Sequence, residues 1–169
     1  MQPSIAALED YLSGVAELVE RYGVVLDLAP TAPLVLEEAP SGARSFALRG
    51  FLPDGRTPPL SVLEIRERWR RLGPDQVERW EYEFELLDHE RGFGRAFHLH
   101  HADEFIRRFH VVVHEHCEQP IGTAPCGHVV GSPVLDGYRG VEILLEAWMV
   151  PGTPDCSAMT CLDLDPSEH

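Results

Sequence analysis

The chain has 169 residues, 44% apolar and 25% charged, the balance of one globular domain rather than of a disordered chain. It carries 28 acidic residues against 14 basic ones, every base an arginine, for a net charge of −14 that disfavours generic binding to phosphate backbones. No apolar run approaches the roughly 20 residues of a membrane-spanning helix, so no membrane partner is expected.

Met1-Gln2-Pro3-Ser4 lacks the basic start of a secretory signal, so a cytoplasmic setting is expected. The four cysteines (Cys117, Cys126, Cys156 and Cys161) are then expected as reduced thiols or metal ligands, with a Cys156–Cys161 bridge as the alternative. A role on nucleic acid would need a local arginine patch or a basic partner.

In chain order, residues 4–22 predict an amphipathic helix. Ile5, Leu8, Leu12, Val15, Val19 and Tyr22 recur at helical spacing, with Ser4 as the cap and Gly23 as the stop. Residues 1–28 thus form a helix and a first strand. Residues 29–59 read as a proline-rich connecting segment in which Leu34-Val35-Leu36 and Phe46-Ala47-Leu48 form short edge strands. Residues 61–72 fit either a helix opened by a Ser61–Glu64 capping box or a strand. As a strand, they set Leu63, Ile65 and Trp69 against Glu64, Arg66, Arg68 and Arg70.

Residues 77–87 alternate, with Trp80, Tyr82, Phe84 and Leu86 on one side and Arg79, Glu81, Glu83 and Glu85 on the other. A turn at 88–94 leads to a second alternating run in which Phe97 and Leu99 oppose His98 and His100, a hairpin signal. Matching the apolar faces pairs Leu86 with Phe97 and sets Glu85 beside His98; parity is fixed, while the register is free to shift by two. Residues 109–117 fit a strand or the end of a helix, with the Val111-Val112-Val113 run favouring the strand. After a loop over 118–135, a helix is expected near 136–148, with Tyr138, Val141, Leu144, Leu145 and Trp148 on one side, and then an irregular tail over 151–169.

The expected fold is therefore α+β: an antiparallel meander of about four to five strands with an N-terminal and a C-terminal helix packed on it. Residues 60–150 form the sheet and the closing helix, and the whole chain makes one compact domain.

Nine histidines, concentrated between His89 and His128, carry the chemical signal. His98-x-His100 and His114-x-His116 each set two imidazoles about 6–7 Å apart on one strand face, next to Glu83 and Glu85. One reading is a zinc ion held by His114, His116, Cys117, Cys126 and His128. The other is metal-independent acid–base chemistry, with arginines beside paired histidines, of the kind that cleaves RNA through its 2′-hydroxyl. The plain alternative is a half-exposed sheet of packed, hydrogen-bonded histidines.

The stretch Tyr82-Glu83-Phe84-Glu85-Leu86-Leu87-Asp88-His89-Glu90-Arg91-Gly92, followed by His98-Leu99-His100, resembles the TumE-like toxin family of bacterial toxin–antitoxin systems. The pattern covers roughly residues 60–149, with His89 where that family usually has Asn. The resemblance implies a toxin-like protein, acting on RNA or translation, with Asp88, Glu90, Arg91, His98 and His100 as its site residues. It also implies an antitoxin-like partner, for which a basic surface would complement the acidic chain. The competing class is a non-catalytic, zinc-stabilised interaction module.

Overall fold

The computed structural model describes residues 5–27, 34–38, 42–99, 113–118, 120–122, 126–129, 137–150 and 161–162. Helix α1 (Ile5–Arg21) opens the chain, and helix α2 (Gly137–Met149) follows most of the sheet. The strands are β1 (Val25–Leu26), β2 (Leu34–Glu38), β3 (Arg44–Phe51), β4 (Ser61–Arg71), β5 (Val77–Asp88), β6 (Phe93–Leu99), β7 (Val113–Glu118), β8 (Cys126–Val129) and β9 (Cys161–Leu162). All pairs are antiparallel, and β3 through β9 run as a meander, each strand beside the next. The outer edge of β3 is shared by β1 and β2.

The α+β meander with a helix at each end matches the sequence expectation, but the described residues hold nine strands where about four to five were expected. Prolines flank Arg44–Phe51 without entering it, so β3 is a full inner strand with Phe46 and Leu48 buried rather than an edge piece. Two strands arise where none was expected: β8 falls in the 118–135 segment read as loop and β9 in the tail read as irregular, both too short to leave a periodic pattern.

The β-branched and aromatic run Ser61–Arg71 resolves as a strand, and Val113–Glu118 likewise. Residues 100–112, including His100, lie outside the described residues, as does Cys156.

Alternation gives the sheet one apolar face. Leu48, Leu63, Ile65, Tyr82, Phe84, Leu86, Phe97 and Leu99 form the core with Val15, Leu18 and Val19 of α1 and Val141, Leu144 and Leu145 of α2. Helix α1 ends where Gly23 takes φ 70°; its N–H bonds the Glu20 carbonyl and that of Val24 the Val19 carbonyl, a Schellman close.

Among the described residues Ser61, Glu67 and Asp88 are the buried polar groups. Glu67 lies on the helix side, accepting bonds from Tyr11 Oη, from Trp69 Nε1 at 2.9 Å and from Arg79 Nη1 at 3.2 Å. A bulge makes this possible. Arg68 pairs with Glu81 but Trp69 pairs with Arg79, so Trp80 is the extra residue and parity reverses below it. Arg79 therefore joins the helix side, and Trp80 lies under the Arg70 guanidinium at 3.9 Å, the opposite of strict alternation over 77–87.

Candidate functional site

Both helices occupy one face of the sheet, and the other face carries the charged side chains. On β4, Glu64, Arg66, Arg68 and Arg70 point to that face because Leu63, Ile65 and Trp69 fill the core. Their neighbours on β5 are Glu85, Glu83, Glu81 and Glu78. The result is a ladder of ion pairs, Arg66–Glu83 at 3.0 Å, Arg68–Glu81 at 2.8 Å and Arg70–Glu78 at 2.5 Å, with Glu64 taking Arg66 and, at 3.3 Å, Arg49. Arg66, Arg68 and Arg70 thus form a local arginine stripe within an acidic chain.

His98 continues this face onto β6. It stands opposite Glu83, with its Nε2 3.6 Å from Glu83 Oε1, and its side chain is 15% exposed. The register is two residues away from the simplest match of apolar faces, Phe84 pairing with Phe97 rather than Leu99, while parity is as expected. Ala96 stands opposite Glu85, and its small side chain leaves a groove of about 290 Å³ bordered by Glu83, Glu85, His98 and Glu118. A larger hollow of about 470 Å³ continues over Ser45, Ala47, Arg66 and Arg68.

Glu85 is the most perturbed acid of this groove. Burial, reinforced by Glu83, Glu64 and Glu118 and opposed by Arg66, pushes its carboxyl up to about 7. Glu85 and a histidine, the side chain that ordinarily titrates near neutrality, therefore share one groove. Glu64, Arg66 and Glu118 escaped the sequence reading because their membership depends on which strands pair. Only the even parity of 64 and 66 on an alternating run hinted at it.

The other residues singled out from sequence do not gather here. Asp88 is buried on the helix side, five residues along β5 from Glu83 and so roughly 16 Å from the His98 row. It binds Arg91, whose guanidinium also donates to the carbonyls of Trp148 and Val150 at 3.0 Å each. Glu90 is exposed and paired with Arg56. These three residues tie the β5–β6 turn to the end of α2 and to the preceding loop.

The expected zinc ligands occupy β7 and β8, where Cys117 stands opposite Cys126, His116 opposite Gly127 and Glu115 opposite His128. His114 stands opposite His98. Positions 114 and 116 therefore have the parity of His98, while 117 has the opposite parity, with 126 directly across the ladder and 128 across from 115. Successive strand residues alternate between faces, so the five positions divide into two groups. Among the described residues no group of three His, Cys, Asp or Glu side chains could hold a metal ion; the side chains of His114, His116, Cys126 and His128 lie outside that description.

Compared with protein-family models, curated proteins and solved structures, the chain matches none. No described helix is long and apolar enough to cross a membrane.

Proposed function

We propose that the chain is a toxin-like protein of a toxin–antitoxin type system, and that the groove along β5 and β6 is a metal-independent acid–base site acting on RNA. The observation that carries this reading is the meeting of His98 with Glu83 and Glu85 in one groove, beside the arginine stripe of β4. A neutral His98 accepts the proton of a ribose 2′-hydroxyl. Glu85, protonated in part near neutrality, returns a proton to the departing 5′-oxygen. Arg66, 53% exposed, exchanges a glutamate partner for phosphate oxygens. His98 and Glu85 are diagonal neighbours on paired strands, roughly 7–8 Å apart at Cα, a separation one phosphodiester bridges.

The resemblance of the Tyr82–Gly92 and His98-Leu99-His100 segments to TumE-like toxins supports the same reading. In this reading the protein is cytoplasmic, and the net charge of −14 favours an antitoxin-like partner with a basic surface.

Expression in a bacterial host should arrest growth and degrade RNA. His98→Ala, alone or with His100→Ala, should relieve the arrest while keeping the wild-type melting temperature. A wild-type chain that leaves growth and RNA intact overturns the proposal, as does a His98→Ala variant as inhibitory as its parent.

A further inference from the structure

The bulge in β5 leaves a large aromatic on the charged face of the sheet. Strict alternation would bury Trp80 beside Tyr82; instead Arg68 pairs with Glu81 and Trp69 with Arg79, and the extra residue turns outward. There the Trp80 ring, partly exposed, carries the Arg70 guanidinium 3.9 Å from its centre, and Arg70 itself is 46% exposed. An indole gains more in the core than half-covered among ion pairs, and bulges that re-aim a side chain recur next to functional sites.

Trp80 and Arg70 stand at one end of a track that leads to His98. Arg70 is opposite Glu78; the next row holds Ser45, Arg68 and Glu81, and the one after it Ala47, Arg66, Glu83 and His98. Ser45 and Ala47 are small, so the middle of the track is the hollow of about 470 Å³ bordered by Arg66 and Arg68, a size that suits a small ligand. The stripe Arg66, Arg68 and Arg70 repeats every two residues, roughly 6.7 Å. From Trp80 to the Glu83–His98 row is roughly 10 Å along β5, the length of about three stacked nucleotides at roughly 3.4 Å each.

Charge alone does not hold nucleic acid on this face. The chain carries a net −14, and each arginine of the stripe already faces a glutamate of β5. A duplex closes its bases to stacking and brings a dense row of phosphates against those glutamates. A single strand instead offers π-faces that stack on an indole or a guanidinium plane, a contact that adds to what a few arginine–phosphate pairs supply.

Resting on the reading of the His98 groove as a site acting on RNA, we propose that the Arg70–Trp80 stack is a platform for one base of single-stranded RNA. Arg66 and Arg68 meet the phosphates over the hollow, so the strand runs on into the groove between His98 and Glu85. Trp80 binds and positions the strand and takes no part in proton transfer.

The test uses the full chain and a short single-stranded 2′-O-methyl oligonucleotide, which lacks the nucleophile, so binding is measured apart from cleavage. The wild-type chain should bind it with quenching of tryptophan emission, and should bind the matching duplex at least about tenfold more weakly. Trp80→Ala should weaken binding about fivefold or more at an unchanged melting temperature, the loss of one base–aromatic stack. Trp80→Phe should restore most of the affinity without the quenching. An abasic version of the strand should bind the wild-type chain about fivefold or more weakly, a comparison that needs no variant to fold.

Equal affinity for duplex and single strand overturns the proposal, as does a Trp80→Ala variant with the parent's affinity, or quenching that persists in Trp80→Phe. A wild-type chain that binds no oligonucleotide overturns it too. Binding without RNA degradation removes the acid–base reading and keeps the platform; RNA degradation by a chain that prefers duplex removes the platform alone.

Discussion

Arg91 and Asp88 clasp each other across the β5–β6 turn: the Arg91 backbone N–H donates to Asp88 Oδ1 at 2.9 Å and its Nε to Oδ2 at 2.6 Å. The same guanidinium binds the carbonyls of Trp148, in the last turn of α2, and of Val150 just past it, where a cation also complements the helix dipole. Asp88 is 4% exposed at its side chain and Arg91 19%, so this pair is partly removed from water. Arg91→Ala strips the carboxylate of its counter-ion and should cost about 2–4 kcal/mol of unfolding free energy in urea titrations. A loss below about 1 kcal/mol would mean the clasp is incidental.

Two helical glycines should respond in opposite ways to alanine. At Gly137 an added Cβ would lie 2.0 Å from Tyr11 Oη and 2.7 Å from both Glu67 Oε1 and Phe84 Cζ, so the start of α2 must move. Gly137→Ala should destabilise by about 2–3 kcal/mol despite the better helix propensity. At Gly14 the nearest atom is Tyr138 Cδ2 at 3.8 Å, an ordinary contact, so Gly14→Ala should stabilise α1 by about 0.5–1 kcal/mol. Thermal melts of the two variants on opposite sides of wild type are the expected result; equal shifts would contradict this packing.

The Glu67 cluster supplies a third test. Glu67 has a side chain with no exposure, and Arg79 beside it is 12% exposed. Glu67→Ala leaves Arg79 and Trp69 Nε1 without their acceptor and should cost about 3–5 kcal/mol. Tyr11→Phe removes one donor only and should cost about 1–2 kcal/mol. If Tyr11→Phe matched Glu67→Ala in a denaturant series, the hydroxyl rather than the charge pair would dominate the cluster.

Glu85 predicts a pH dependence of defined sign. Its folded carboxyl is raised to about 7 from an ordinary 4.5, so the native state holds a proton that the unfolded chain has already released over that window. Its stabilising contribution is complete below about 4.5 and disappears as pH rises through about 7. Glu85→Gln should therefore raise stability relative to wild type at pH 8, by on the order of 1 kcal/mol after allowing for solvent screening, with little difference at pH 4.5. Melting curves at the two pH values decide this; a variant less stable than wild type at pH 8 reverses the sign.

Much of this architecture was legible in the chain. Val15, Val19, Leu144 and Leu145 recur at helical spacing, and Phe84, Phe97 and their neighbours alternate, because burial on one face imposes period 3.6 on a helix and period 2 on a strand. The pairing of Glu83 with His98 was readable to within the two-residue freedom that parity leaves. The parity of Arg79 and Trp80 was not, since a bulge inserts one residue without any mark in the hydrophobic pattern. Nor did anything local separate Asp88 and Arg91, polar residues of a turn, from His98 a few residues later.

The sequence by itself determined the two amphipathic helices, the alternating central strands and the crowd of imidazoles and acids on one parity, because those depend on local periodicity. Only the tertiary structure decided which polar residues meet. Strand pairing brings Glu64 and Arg66 to Glu83, Glu85 and His98, sends Asp88 and Arg91 to the end of α2, and divides the Cys and His positions of β7 and β8 between two faces. These are contacts between residues far apart in the chain or on opposite sides of a pleat, and they follow from register and bulge position, which side-chain burial across the whole sheet selects.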